Sequence, residues 1–267
     1  MNRQQLIQQI FEKRSYLCVG LDSDVDKLPA GIPRDADGVL AFNKAIVDAT
    51  RPYCVAYKIN TAFYESLGAV GWTVMEQTAA YIGHEHLLIA DAKRGDIGNT
   101  ADQYAKAFFK TLSFDAITVA PYMGADSVIP FLQHPGKWAI VLGLTSNPGA
   151  ADFELQPSGD QLLYEKVMQR VATWGTPENL MFVVGATQAT VMASIRKKYP
   201  DHFFLVPGVG AQGGSLEEVS RNALTPSAGL LVNVSRAVLF ASPNSDFAEK
   251  AAAAALQYQQ QMATLLG

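Results

Sequence analysis

The stretch Leu88-Ile89-Ala90-Asp91-Ala92-Lys93-Arg94-Gly95-Asp96-Ile97-Gly98-Asn99-Thr100 decides how the rest of the chain is read. It opens as an apolar run rich in Leu and Ile, the pattern of a strand buried on both faces in a parallel sheet. Charge arrives only at its C-terminal end. Side chains alternate across a strand, so Asp91 and Lys93 point the same way. Asp96 falls past the strand in a turn marked by Gly95 and Gly98, and Asn99 or Thr100 is placed to cap a helix whose body begins near Ala101. Two carboxylates and an ammonium at a strand terminus are costly unless they pair or do chemistry. A lone Asp-x-Lys is ordinarily a solvated ion pair on a surface turn. The pattern around this one gives it weight.

Working outward, the same kind of run recurs on both sides. Upstream lie Tyr16-Leu17-Cys18-Val19-Gly20-Leu21-Asp22 and Cys54-Val55-Ala56-Tyr57-Lys58-Ile59-Asn60. Downstream lie Ala116-Ile117-Thr118-Val119-Ala120 and Ala139-Ile140-Val141-Leu142-Gly143-Leu144-Thr145. Three more follow: Met181-Phe182-Val183-Val184-Gly185, Phe203-Phe204-Leu205-Val206-Pro207-Gly208 and Gly229-Leu230-Leu231-Val232-Asn233-Val234-Ser235-Arg236. Helical segments separate them: one around 39–50, one containing Tyr64, Leu67, Val74 and Met75 that is broken near Gly68 and Gly71, and an Ala-rich one over 247–265 that closes the chain. Eight buried strands alternating with helices over 267 residues fit an α/β fold, the (β/α)8 or TIM barrel. A doubly wound sheet competes, but no G-x-G-x-x-G follows the first strand. No linker or shift of composition cuts the chain, so residues 1–267 are expected to form one barrel domain with an N-terminal helix.

Composition excludes several classes. Nearly half the residues are hydrophobic, enough for a large core, and the net charge of −4 without a long basic run argues against a nucleic-acid groove. Any phosphate site must therefore be local. Residues 1–14 carry Leu6, Ile7, Ile10 and Phe11 at helical spacing, an amphipathic helix without the continuous apolar core of a signal peptide. No run reaches membrane-spanning length, so no membrane partner is expected. Cys18 and Cys54 form neither a CxxC nor a disulfide framework and read as free buried thiols of a cytoplasmic protein. Two cysteines and the scattered His84, His86, His134 and His202 show no zinc-ligand spacing, so no metal is expected.

The barrel reading makes a sharp geometric claim. Asp22, Lys58, Asp91, Lys93, Ser146, Gln212, Ser235 and Arg236 all fall at or just after strand C-termini, which in a barrel form one face where active sites sit. The run Pro207-Gly208-Val209-Gly210-Ala211-Gln212-Gly213-Gly214-Ser215 can turn backbone N–H groups toward an anion, and Ser235-Arg236 adds a guanidinium at a helix start. Loops after strands seven and eight are the usual phosphate site of such barrels. In the loop Ser146-Asn147-Pro148-Gly149, small polar side chains suit the edge of a heterocycle, although the same residues make an ordinary turn. Carboxylates on both sides of Lys93 favour its charged form.

In Asp91-Ala92-Lys93-Arg94-Gly95-Asp96-Ile97 the chain resembles the orotidine 5′-phosphate decarboxylases, whose signature is D-x-K-x-x-D-I. Leu21-Asp22, Lys58, the Ser146 loop, the run from Pro207 to Gly214 and Ser235-Arg236 also stand where that family has them. The likeness runs from the first strand to the eighth, and the longer loops resemble the type 2 branch found in many bacteria. It implies a cofactor-free reaction in which orotidine 5′-monophosphate (OMP) loses CO2 from C6 to give UMP, in de novo pyrimidine synthesis. It implies an alternating charge array of Lys58, Asp91 and Lys93, joined by Asp96 from a partner subunit in a homodimer with shared active sites. Lys93 would protonate C6, Asp22 and Lys58 would hold the ribose, and Ile97 and Thr100 would reach across the dimer. Ser146 would read the pyrimidine, and Gln212 and Arg236 would grip the phosphate, with Pro207 and Ser235 also against the substrate.

Two other readings fit parts of the pattern. One is a Mg-dependent sugar-phosphate decarboxylase or aldolase of the same barrel group, which uses the same Asp-x-Lys-x-x-Asp but carries an acid where this chain has Lys58. The other is a non-catalytic nucleotide-phosphate-binding barrel, since fold alone never proves chemistry.

Overall fold

The eight apolar runs close into a ring in the computed structural model of the chain, which describes residues 1–210 and 213–267. The barrel strands are β1 (Leu17–Gly20), β2 (Ala56–Asn60), β3 (Leu87–Arg94), β4 (Ala116–Val119), β5 (Trp138–Leu144), β6 (Leu180–Val184), β7 (Phe204–Pro207) and β8 (Leu230–Val234). Each pairs in parallel with the next, and β8 pairs with β1 through Leu17↔Val232 and Cys18↔Asn233. Parallel neighbours need a crossover between them, and helices supply it. Helix α1 (Arg3–Lys13) precedes β1, α2 (Ala36–Thr50) follows it, and α3 (Ala62–Glu65) and α4 (Ala69–Ile82) join β2 to β3. Then come α5 (Gly98–Lys106), α6 (Ile129–Leu132), α7 (Leu163–Val171), α8 (Ala189–Lys198) and α9 (Leu216–Ala223), with α10 (Arg236–Leu239) and α11 (Phe247–Leu266) after β8.

Register fixes which side chains face the barrel axis. Lys58 lies level with Gly20 and Ile89, Asn60 with Asp91, Thr118 with Ile140, and Asn233 with Cys18 and Pro207. Strand length and pleat thus carry Lys58, Asp91 and Thr118 into one upper layer, above the apolar filling of the ring. The outward residues, among them Tyr57, Phe182, Phe204 and Val232, are fully buried under the helices. Burial on both faces is why the strands read as continuous apolar runs rather than as alternation.

The opposite, N-terminal face is sealed by α1. An Asn2 capping box with Gln5 starts the helix, and Arg14 ends it in the left-handed conformation. The Lys13 ammonium donates to the carbonyls of Arg51 and Cys54, just before β2, and Gln9 reaches the Glu85 carbonyl before β3. The barrel arrangement, the N-terminal helix and the free, buried state of Cys18 and Cys54 agree with the sequence. Three details differ. The α3–α4 break falls at Gly68, with φ of +70°, whereas Gly71 sits inside α4, where an added Cβ would lie 1.8 Å from the Tyr64 carbonyl oxygen. Gly71 is thus a close-packing glycine, not a breaker. Helix α5 begins at Gly98 after Ile97, so Asn99 and Thr100 lie in its first turn and neither caps it. A short hairpin pairing Pro157–Ser158 with Gln161–Leu162 is inserted between β5 and α7.

Two buried histidines record how dry this scaffold is. His86 Nε2 lies 2.8 Å from the Lys13 ammonium and 3.0 Å from the Arg51 carbonyl oxygen, inside a buried pocket. Burial first, then Lys13, pushes its pKa down to about 4; burial and Arg196 do the same to His202. Both rings take up protons on unfolding once pH drops below the ordinary histidine value of 6.5. Their effect on stability is absent above that value and grows as pH falls toward 4, costing about 1.4 kcal/mol per pH unit for each ring. His86→Gln should therefore lose less stability than the wild type between pH 7 and pH 5 in urea titrations. Equal losses would show that His86 titrates normally when folded.

Candidate active site

At the C-terminal mouth of the barrel, β1, β2, β3 and β4 contribute one connected set of charges and hydroxyls. The Asp91 carboxylate is buried and receives the Lys58 ammonium on Oδ2 at 2.8 Å and the Lys93 ammonium on Oδ1 at 2.6 Å. Thr118 Oγ1 donates to the same Oδ1 at 3.0 Å, and Asp22 lies on the far side of Lys58, with Oδ1 at 3.4 Å from Nζ. Burial alone would raise the Asp91 pKa, but the two ammonium groups outweigh it and hold the carboxyl far below the usual carboxylate range. The Lys58 side chain is only 4 % exposed. Its burial disfavours the cation, yet Asp91 and then Asp22 more than offset this and keep its pKa above the usual lysine value. Lys93 stands at the rim, 51 % exposed, with its backbone in the left-handed region at φ +47°. The pairing of β3 with β4 shifts register between Ala90 and Arg94, so the same-side placement of Asp91 and Lys93 is achieved across a bulge rather than by plain alternation.

Neighbouring side chains hold this set in place. Behind Asp22, Ser23 Oγ donates to Asn43 Oδ1 at 2.6 Å, and the Asn43 amide donates to Tyr64 OH and Thr78 Oγ1. Tyr64 OH in turn donates to the Leu21 carbonyl at 3.2 Å, so α2, α3 and α4 together fix the end of β1. After Lys93, Arg94 turns outward, pairs with Glu65 and lies over the rings of Tyr104 and Phe108 at 5.3 and 5.4 Å. That anchor launches the turn that carries Asp96. The Asp96 carboxylate accepts only the Ile97 N–H at 2.8 Å and makes no ion pair with Lys93 among the described residues. Ile97 and Thr100 are exposed beside it.

Ser146, Pro207, Ser235 and Arg236 lie on the far side of the mouth. Ser146 follows β5 and is half-buried, beside Thr145, whose N–H and hydroxyl are both held by Glu154. Pro207 ends β7, while Gln212 lies outside the described residues. Gly208, Gly210 and Gly213 take positive φ as the run requires, but the N–H groups of Gly210, Gly213 and Gly214 donate within the loop. Amide donation to an anion from those three is thus already committed to loop shape. Ser235 precedes α10 and Arg236 opens it, exposed and without an ion pair among the described residues. Below Ser235, Asn233 is buried, with its Oδ1 unpaired among the described residues. Thr118, Asn43 and Asn233 escaped the sequence reading. The available signal was a polar residue within an otherwise apolar run, weaker than a formal charge.

The donor set does not favour a metal. Among the described residues, no three His, Cys, Asp or Glu side chains gather as ligands, and the Lys58 ammonium sits between Asp22 and Asp91.

The model of the "Orotidine 5'-phosphate decarboxylase / HUMPS family" matches residues 15–251. The chain belongs to this family. Among curated relatives, the orotidine 5′-phosphate decarboxylase of Christiangramia forsetii is 55 % identical over 269 residues, covering 100 % of this chain and 99 % of the relative. That of Phocaeicola vulgatus is 52 % identical over 270 residues, with coverage of 100 % and 99 %. Among solved structures, the OMP decarboxylase of Leishmania donovani superposes with a TM-score of 0.87 at 36 % identity, covering 100 % of this chain and 99 % of that one. Family membership therefore spans the whole ring of strands, including every described residue of the mouth.

The energetics of the buried pair can be tested without substrate. Removing one member of a buried ion pair costs about 3–5 kcal/mol, whereas replacing both by apolar groups is often close to neutral. Lys58→Met should therefore be markedly destabilised in urea unfolding, and Lys58→Met with Asp91→Leu should be more stable than Lys58→Met alone. A double variant as unstable as the sum of its singles would show that the two groups do not interact.

Proposed function

We propose that this chain is an orotidine 5′-phosphate decarboxylase acting directly on OMP, without cofactor, in de novo pyrimidine synthesis. The observation that carries the reading is the Lys58–Asp91–Lys93 array, buried at one end and open at the other, in a chain of this family. In the proposed reaction the C6 carboxylate enters beside Asp91. The C6–carboxylate bond breaks, CO2 leaves, and the bonding pair stays on C6. A proton passes from Lys93 Nζ to C6, giving UMP and a neutral amine that solvent reprotonates. Fixed ammonium groups already placed around the developing carbanion need no reorganisation, which is how preorganised charge lowers a barrier. Repulsion between Asp91 and the substrate carboxylate would add to this, and it vanishes with CO2.

Binding energy far from C6 would hold these charges against the substrate. Asp22 and Lys58 are assigned to the ribose, Ser146 to the pyrimidine, Gln212 and Arg236 to the phosphate, with Pro207 and Ser235 lining the path between. The free buried thiols suit a cytoplasmic setting. A Mg-dependent sugar-phosphate reaction is the rival, and the ammonium of Lys58 between the two acids opposes a divalent cation there. The test is the fall in orotidine absorbance when purified protein meets OMP, with and without EDTA. Turnover unaffected by EDTA supports the proposal; UMP binding without turnover supports a non-catalytic barrel instead. Lys93→Ala should reduce turnover at least about a thousandfold while leaving the fold intact by circular dichroism. Near-normal turnover would remove Lys93 from the mechanism.

The working unit is proposed to be a homodimer with shared sites. Asp96 makes no ion pair among the described residues, and exposed Ile97, Tyr122 and Met123 crowd the loops after β3 and β4, as a two-fold interface would need. Asp96→Ala and Lys93→Ala proteins, each inactive alone, should recover activity when mixed, because a hybrid dimer has one site with both defects and one with neither. Recovery reaches at most half of the wild-type level. No recovery, with subunit exchange shown by mass spectrometry, would place Asp96 outside its neighbour's site.

A further inference from the structure

Thr118 is the one hydroxyl on β4, 1 % exposed, and it makes two hydrogen bonds that bracket the catalytic signature. Its Oγ1 accepts the backbone N–H of Lys93 at 2.9 Å and donates to Asp91 Oδ1 at 3.0 Å. A hydroxyl has one proton, so accepting from the amide while facing a carboxylate settles its direction: the proton points at Asp91. The bulge between Ala90 and Arg94 explains why a side chain is needed here. Where the β3–β4 register slips, the Lys93 N–H has no ladder carbonyl, and the residue adopts a φ of +47° that non-glycine residues rarely hold without support. The Thr118 hydroxyl replaces the missing ladder bond. It thereby ties the backbone of Lys93 to the same carboxylate oxygen that its own ammonium reaches at 2.6 Å.

We propose that Thr118 is a positioning residue for the decarboxylation, holding Lys93 in its left-handed conformation and Asp91 in its ionised orientation through one hydroxyl. The inference rests on the function proposed above, because only there do the placements of Lys93 and Asp91 set a rate. Thr118 reaches the reaction through its two neighbours.

Two substitutions separate a positioning role from plain packing. Thr118→Val keeps the shape and loses the hydroxyl; Thr118→Ser keeps the hydroxyl and loses a methyl group. Positioning predicts that Thr118→Val lowers kcat about 10- to 100-fold, with KM for OMP and UMP affinity each within about threefold of the wild type. Thr118→Ser should restore kcat to within a few fold. Packing alone predicts the reverse order, with the serine variant worse, and that order overturns the proposal. So does a valine variant with wild-type kcat, or one whose loss lies in KM and UMP affinity. Thr118→Ala serves in place of valine if the latter does not fold. Hydrogen exchange of the Lys93 amide gives a readout independent of turnover: protected in the wild type and Thr118→Ser, at least tenfold faster in Thr118→Val. If the wild type fails to decarboxylate OMP, the functional reading falls. Unchanged exchange in Thr118→Val, whatever the activity, overturns the role given to Thr118.

Discussion

The Asp91 carboxylate is buried and ionised at once because Lys58 and Lys93 each set an ammonium within 2.8 Å of one of its oxygens. Dehydrating Lys58 and Asp91 is expensive, and apolar residues in their place would serve stability at least as well. Stability alone does not account for the arrangement, and the rest of the mouth supports it. Asp22 shares the Lys58 cation, Thr118 supplies a neutral donor, and Arg94 holds the chain that leaves the cluster. Lys93 is the member of the cluster most open to solvent.

A parallel barrel makes this possible at low cost in local structure. Adjacent strands β2 and β3 bring Lys58 and Asp91 together without any loop having to be ordered for the purpose. The strands beneath are sealed by apolar layers on both faces, so the charges stand on a rigid floor. Of the residues assigned to base and phosphate, Ser146 lies on the loop after β5 and Arg236 at the start of α10 after β8. Reacting groups on strand ends and recognition on longer loops is a division that lets a chain vary its loops and keep its chemistry.

All eight barrel strands were legible because burial on both faces leaves runs that no surface strand would tolerate, as in Met181 to Val184. Asp91, Lys93 and Lys58 were legible because formal charge at the end of such a run needs an explanation. The bulge at Lys93 was not, since nothing in Asp91-Ala92-Lys93 distinguishes a slipped register from a regular one. Nor were the hydroxyl of Thr118 or the amide of Asn43, whose roles depend on which strands and helices become neighbours across 21 or more positions of sequence. The start of α5 was misjudged for a related reason. Asn99 and Thr100 are good capping residues, but α5 already starts at Gly98, with Ile97 in the cap position and no side-chain cap hydrogen bond.

The seam where β8 meets β1 has a consequence for biosynthesis. Leu17 pairs with Val232, so the ring cannot close until β8 has been made. Until then β1 and the last strand made each present a bare row of peptide groups, the kind of edge that recruits strands from other molecules. Closing so long a loop is also slow relative to forming local helices. A ring that still lacks β8 therefore carries two open edges that the closed ring does not.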